Sequence, residues 1–183
     1  ISLSLSLSFS LSVIKQLPGG RKPVKTAVRP QKKHDDIYEF LEDELRDGGQ
    51  AYVVYPLVEE SEKVDLKDAT AGFKTLQNRF SDFEVGLLHG QMKSEEKDAV
   101  MQQFIDNDIQ VLVSTTVIEV GVDVPNASIM IVEHAERFGL SQLHQLRGRI
   151  GRGERQSYCI LIYGQRVSKE GKFRLRKMAE TSD

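Results

Sequence analysis

Five short apolar runs, separated by segments with helical spacing, restrict this chain more than any other feature does. AYVVYPLV, FEVGLLHG, IQVLVST, SIMIVEH and SYCILIY place hydrophobic residues at consecutive positions instead of alternating them with polar ones. A strand of that kind is covered on both faces, as in a parallel sheet flanked by helices. The intervening segments supply the helices. DDIYEFLEDELRDGG brings Ile37, Phe40, Leu41 and Leu45 to one face and stops at Gly48 and Gly49. VDLKDATAGFKTLQNRF spaces Leu66, Ala69, Phe73, Leu76 and Phe80 in the same way. SEEKDAVMQQFIDND predicts Ser94 as an N-cap, with Val100, Met101, Phe104 and Ile105 turned inward. The order implies an α/β domain with an open, mostly parallel sheet covered by helices on both faces. At 183 residues the chain has room for one such core and some flanking sequence.

The flanks read differently. ISLSLSLSFSLSV alternates apolar residues with Ser, the period of an amphipathic strand, and lacks the basic start and continuous apolar stretch of a signal peptide. KQLPGGRKPVKTAVRPQKK is rich in Lys and Arg, holds no acid and is broken by prolines, so it reads as an extended connector. It is either a solvated linker or a basic strap along a nucleic-acid backbone or between domains. We divide the chain into 1–33 (Ser/Leu segment and basic connector), 34–166 (the α/β domain) and 167–183 (the helical start of a further region). An Ile start and an abrupt finish are read as a chain that continues at both ends. The net charge is −2, so nucleic-acid binding would depend on local patches. The lone Cys159 fits a small buried hydrophobe, no two histidines have metal-ligand spacing, and no apolar run is long enough for a membrane span.

In open α/β sheets the ligand lies beyond the carboxyl ends of the strands, and polar residues gather there in this sequence. VLVSTTVIEVGVDVP delivers Ser114, Thr115 and Thr116 from a buried strand. Thr116 and Glu119 then have capping-box spacing, which suits either a plain helix cap or an exposed helix N-terminus that receives an anion. Gly121 and Asp123 follow, close to the strand ends. In QLRGRIGRG, a helix over 141–152 would put Gln145, Arg149 and Arg152 on one face beside Gly148 and Gly151. No Asp or Glu occurs between Phe138 and Gly153, so Arg147, Arg149 and Arg152 find no counter-ion within that stretch. A solvated helix face is one reading. The other is a phosphate site, where guanidiniums stabilise the charge of phosphoryl transfer. His89, followed by Gly90, ends a strand and could turn backbone N–H groups and an imidazole to a phosphate. The chain has no G-x-x-x-x-G-K-[ST] loop and no paired acids for Mg²⁺, only Glu133, so it resembles half of a nucleotide site.

With those residues in view, the chain resembles the second motor domain of superfamily 2 helicases, more narrowly the RecG family of branched-DNA translocases. VVYPLVEESEK, GLLHGQMKSEEKDAVMQQF, VLVSTTVIEVGVDVPNASIMIVEHAERFGLSQLHQLRGRIGRG and QSYCILIY carry the likeness. It implies a RecA-like fold and an ATP-dependent DNA helicase that remodels stalled forks and Holliday junctions in repair and recombination. It also implies ATP and Mg²⁺ bound mainly by a first motor lobe, branched or forked DNA as partner, that lobe and a wedge domain in the same polypeptide, and no membrane. A monomer is expected, in the bacterial cytoplasm or, for a plant source, an organelle. By the same resemblance Arg149 and Arg152 match the arginine fingers. Gln145, Gly121 and Asp123 match nucleotide-facing positions, and Thr115, Thr116, His89 and Gly90 match DNA-backbone positions. The alternatives are the corresponding lobe of a transcription-repair coupling factor, or a truncated lobe that binds DNA or a partner without catalysis. On either motor reading the segment alone is expected to be inactive toward ATP.

Overall fold

The computed structural model describes residues 22–56, 62–115 and 124–181. The Ser/Leu segment and the start of the basic connector fall outside the described residues, as do Thr116, Glu119, Gly121 and Asp123.

Six strands form one sheet: β1 (Lys25–Pro30), β2 (Gln50–Val54), β3 (Val85–Leu88), β4 (Val111–Ser114), β5 (Ala127–Val132) and β6 (Tyr158–Tyr163). Their order is β1-β6-β5-β2-β4-β3, and every neighbouring pair is parallel. Among the described residues, four α-helices lie between strands, α1 (His34–Arg46), α2 (Glu62–Arg79), α3 (Ser94–Ile105) and α4 (Leu140–Arg147), and a fifth, α5 (Lys169–Glu180), follows β6. The consecutive apolar residues of the strands divide between two cores. Ala51, Val53, Val111, Val113, Ile129, Ile131, Ile160 and Ile162 face Ile37, Leu41 and Leu45 of α1 and Ala69 and Leu76 of α2. Tyr52, Val54, Leu112, Met130, Val132, Cys159 and Leu161 pack with Phe104 of α3, Leu143 and Leu146 of α4, and Leu175 and Met178 of α5. Side chains alternate across a strand, so two greasy faces require two helical layers, and the chain provides them.

The structure departs from the sequence expectations at four places. A sixth strand, β1, comes from the basic connector and pairs along its whole length with β6, from Lys25 opposite Tyr158 to Pro30 opposite Tyr163. Only Thr26 and Ala27 of it are fully buried. An edge strand tolerates charge and proline because one side of its backbone needs no partner, and that is why its sequence hides it. Helix α3 starts without a side-chain cap: Lys93 is the extended N-cap residue and Ser94 already lies inside the helix. Ile105, at the end of α3, is 42% exposed, whereas Phe104 is fully buried. Finally, the helix expected over 141–152 stops at Arg147, with Gly148 as its C-cap.

Candidate functional site

Strand ends place the candidate residues at two opposite edges of the sheet. At the carboxyl edge, β3 and β4 finish side by side, and the Thr115 N–H donates to the Leu88 carbonyl at 3.1 Å. His89 and Thr115 are therefore neighbours. Thr115 is buried, His89 half-buried and Gly90 exposed. The His89 N–H is already engaged by Met92 Sδ at 3.3 Å, and its Nδ1 accepts from the Gln91 N–H at 3.3 Å. An imidazole that accepts at Nδ1 carries its proton on Nε2. The His89 backbone N–H and Nδ1 are thus engaged within the turn, which leaves the Nε2–H and the exposed Gly90 at its surface.

β5 ends in a pair whose histidine the sequence reading did not single out. His34, the first residue of α1, lies 2.9 Å from both carboxylate oxygens of Glu133. Glu133 is 3% exposed. Burial disfavours the imidazolium, but the Glu133 hydrogen bond and charge, with lesser help from Gln31 and Asp35, outweigh it and raise the His34 pKa above its ordinary value. Tyr38 and Tyr55 share this pocket; burial first, then the Glu133 charge, pushes both phenols upward. Separations of 99 residues, as between His34 and Glu133, leave no local signal. Only the placement of Glu133 at a strand end pointed here.

The arginine segment occupies the other edge. Gly153 packs so closely on the loop before β5 that a Cβ there would sit 2.3 Å from the Pro125 carbonyl oxygen, and a Cβ on Gly151 would sit 2.8 Å from Val24, just before β1. Gln156 donates to the Pro23 carbonyl at 2.8 Å, and the Lys25 N–H donates to Ser157 at 3.0 Å. Residues 148–157 therefore lie along the amino ends of β1, β5 and β6. Topology dictates it: the chain leaves α4 and must enter β6 at its amino end to run parallel with β5. Gly151 has φ +85°, the left-handed region that glycine occupies cheaply. Because α4 already ends at Arg147 and Gly151 turns the backbone further on, Arg149 and Arg152 do not continue the α4 face on which Gln145 is exposed.

The arginines divide into two kinds. Arg147, grouped by sequence with its neighbours, is 3% exposed. Its Nη1 donates to Thr26 Oγ1 at 3.2 Å, the Met178 carbonyl at 2.9 Å and the Thr181 carbonyl at 2.8 Å. Its Nη2 lies 3.2 Å from Thr181 Oγ1 and 3.3 Å from His144 Nδ1. Arg155, which sequence reasoning passed over, donates to the Asp47 carbonyl at 3.0 Å, Asp47 Oδ2 at 2.9 Å and Glu44 Oε1 at 3.2 Å, past the C-terminal turn of α1. Glu44 is itself held by the Ser128 hydroxyl at 3.1 Å. Between these two anchors, Arg149 is half-buried and Arg152 exposed. No cluster of three or more potential metal-ligating side chains occurs among the described residues, and no helix among them is long and apolar enough to cross a membrane.

An all-parallel sheet of this order, with an arginine loop braced at its amino edge and a Ser-Thr strand end opposite, is the lobe of a helicase motor: residues 32–154 match the helicase conserved C-terminal domain, and the chain belongs to that family. It is 47% identical, over its full length, to the ATP-dependent DNA helicase RecG of a Synechocystis species, of which it covers 22%. The structure of RecG bound to a three-way DNA junction superposes with a TM-score of 0.78 at 44% identity, over 92% of this chain and 22% of that one. The C-terminal domain of Dbp5 from S. cerevisiae shares the fold, with a TM-score of 0.62 at 20% identity, over 91% of this chain and 83% of that one. The chain thus spans between a fifth and a quarter of the curated Synechocystis relative it matches.

Proposed function

We propose that this chain is the second RecA-like lobe of an ATP-driven DNA translocase that remodels branched DNA, such as stalled forks and Holliday junctions, in repair and recombination. The observation that carries the reading is the bracing of the arginine loop at both ends. Arg147 and Arg155 are tied to oxygens of their own domain, and Arg149 and Arg152 lie on the short loop between them. A loop fixed at both ends holds guanidiniums where a developing charge can meet them without reorganisation. That donor set fits the polyphosphate of a nucleotide presented by a partner lobe, with Gln145 beside it and Gly121 and Asp123 on the segment that leads to Pro125. Bound there, ATP with Mg²⁺ supplies the phosphoanhydride whose hydrolysis drives movement. The chain's own part is to neutralise charge through Arg149 and Arg152.

His89, Gly90 and Thr115, at the opposite edge of the same sheet, form the DNA track on this reading, with Thr116 next in sequence. The separation suits a motor, since the nucleotide and the DNA can be gripped at once and a shift of the lobe moves both. The first RecA-like lobe and a wedge domain of the same polypeptide, acting as a monomer, complete the machine. In the complete polypeptide, Arg149→Ala and Arg152→Ala should each lower DNA-stimulated ATP turnover by about 10³-fold or more, with DNA affinity little changed. Near-normal turnover in both variants would remove the assignment.

A further inference from the structure

Arg147 poses a question that the arginine-finger reading does not answer. A buried guanidinium is costly unless its donors are all occupied, and a leucine would fill a helix end more cheaply. The partners of Arg147 come from three elements. Thr26 belongs to β1, His144 to α4, and the Met178 and Thr181 carbonyls form the C-terminal end of α5. Those carbonyls are the unsatisfied acceptors that every helix leaves at its C-terminus, where the helix dipole also concentrates negative charge. Thr181 ties the arrangement together: its hydroxyl donates to the Met178 carbonyl at 3.0 Å and receives Arg147 Nη2 at 3.2 Å. Arg147 is also the last residue of α4, two positions before Arg149. The side chain that caps α5 therefore belongs to the residue from which the arginine loop departs.

We propose that Arg147 is a positioning residue, which fixes the arginine loop to the end of α5 so that the placement of Arg149 and Arg152 follows that helix. The proposal rests on the motor reading above and adds a route by which whatever shifts the end of α5 changes ATP turnover. Lysine keeps the charge but lacks the planar fork that reaches Thr26, Met178 and Thr181 together. The exposed Thr181 offers a milder probe, since Thr181→Val removes one hydroxyl from the route and leaves the core untouched.

The test uses the complete polypeptide with ATP and a three-way DNA junction, and measures kcat, the Kd of a fluorescent ATP analogue and thermal melting for Arg147→Lys, Thr181→Val and the double variant. A misplacement of about 1 Å can cost about 10²-fold in rate. Arg147→Lys should therefore lose about that much in kcat with nucleotide affinity retained. Thr181→Val should lose several-fold at an unchanged melting temperature, and the double variant should be no worse than Arg147→Lys alone. Full turnover in Arg147→Lys, strictly additive losses, or loss of nucleotide affinity in a protein that still folds would overturn the proposal. If Arg147→Lys does not fold, Thr181→Val decides: wild-type kcat sinks the route. Arg149→Ala and Arg152→Ala run alongside separate the two failures. Where they abolish turnover and the positioning variants do not, only this inference falls; where they too are active, the motor reading falls with it.

Discussion

Gly153→Ala tests how finely the arginine loop is set. The added Cβ would lie 2.3 Å from the Pro125 carbonyl oxygen and 3.1 Å from its carbonyl carbon. Close carbon–oxygen contacts in proteins begin at about 3.3 Å, so one of the two backbones must retreat by about 1 Å. Pro125 is the fixed side. Its turn is closed by the Ala127 N–H on the Val124 carbonyl at 2.9 Å, and Asn126 donates to the Gly48 carbonyl at 2.8 Å while its own carbonyl receives the Gln50 N–H at 3.1 Å. The loop is what moves. Overpacking of this kind costs about 1–3 kcal/mol, a drop of several degrees in melting temperature for a domain of this size, which leaves the lobe folded. Catalysis should suffer more, because a displacement of about 1 Å at a positioned charge is worth about 10²-fold in rate. Steady-state ATP turnover of the complete polypeptide, measured well below its melting temperature, should fall by that order. Gly148→Ala is the control: a Cβ there meets only the Gln145 and His144 carbonyls at 3.4 Å, with an ordinary helical φ of −68°, and should leave turnover near normal. A Gly153→Ala protein within twofold of wild-type kcat would refute the reasoning, as would equal losses in the two variants.

Two further outcomes are expected. Because the folded His34 pKa is raised, mainly by Glu133 working against burial, protonated His34 favours the folded state. That contribution is complete below the unfolded value of about 6.5 and fades as pH rises through the higher folded value. Melting temperature measured from pH 6 to 9 should therefore decline in the wild type and flatten in His34→Gln, and parallel curves would exclude the pair as the cause. Thr115→Ala should weaken the stimulation of ATP turnover by DNA while nucleotide affinity stays constant, and unchanged stimulation would count against a DNA role for Thr115.

Much of the architecture can be read directly from the chain because it rests on local hydrophobic pattern. The runs containing Val53, Val113, Ile131 and Ile160 are apolar at consecutive positions, and a strand buried on two faces has no other reason to be so. β1 escaped because an edge strand is under weaker demands, and KTAVRP meets them with two fully buried residues. The glycines of QLRGRIGRG were recognised as places of close approach, yet Gly148 also ends the helix, and sequence does not say which use prevails. Sorting the arginines was beyond it altogether. What distinguishes Arg147 from Arg149 is a helix end more than thirty residues downstream, Met178 and Thr181, and what holds Arg155 is a helix end more than a hundred residues upstream. Chemical type is written locally, whereas burial and partners are properties of the assembled sheet.

The pairing of β1 with β6 has a consequence for how the lobe is made. Within the described sheet the first strand along the chain docks beside the last, Lys25 against Tyr158, so β1 must wait through synthesis of nearly the whole domain before its partner exists. Contacts so distant along the chain slow folding. During translation β2, β4 and β3 can pair early, while β1 stays unpaired until β6 arrives. A basic, proline-bearing strand is well suited to that wait, because charge and proline discourage it from pairing with a neighbouring nascent chain.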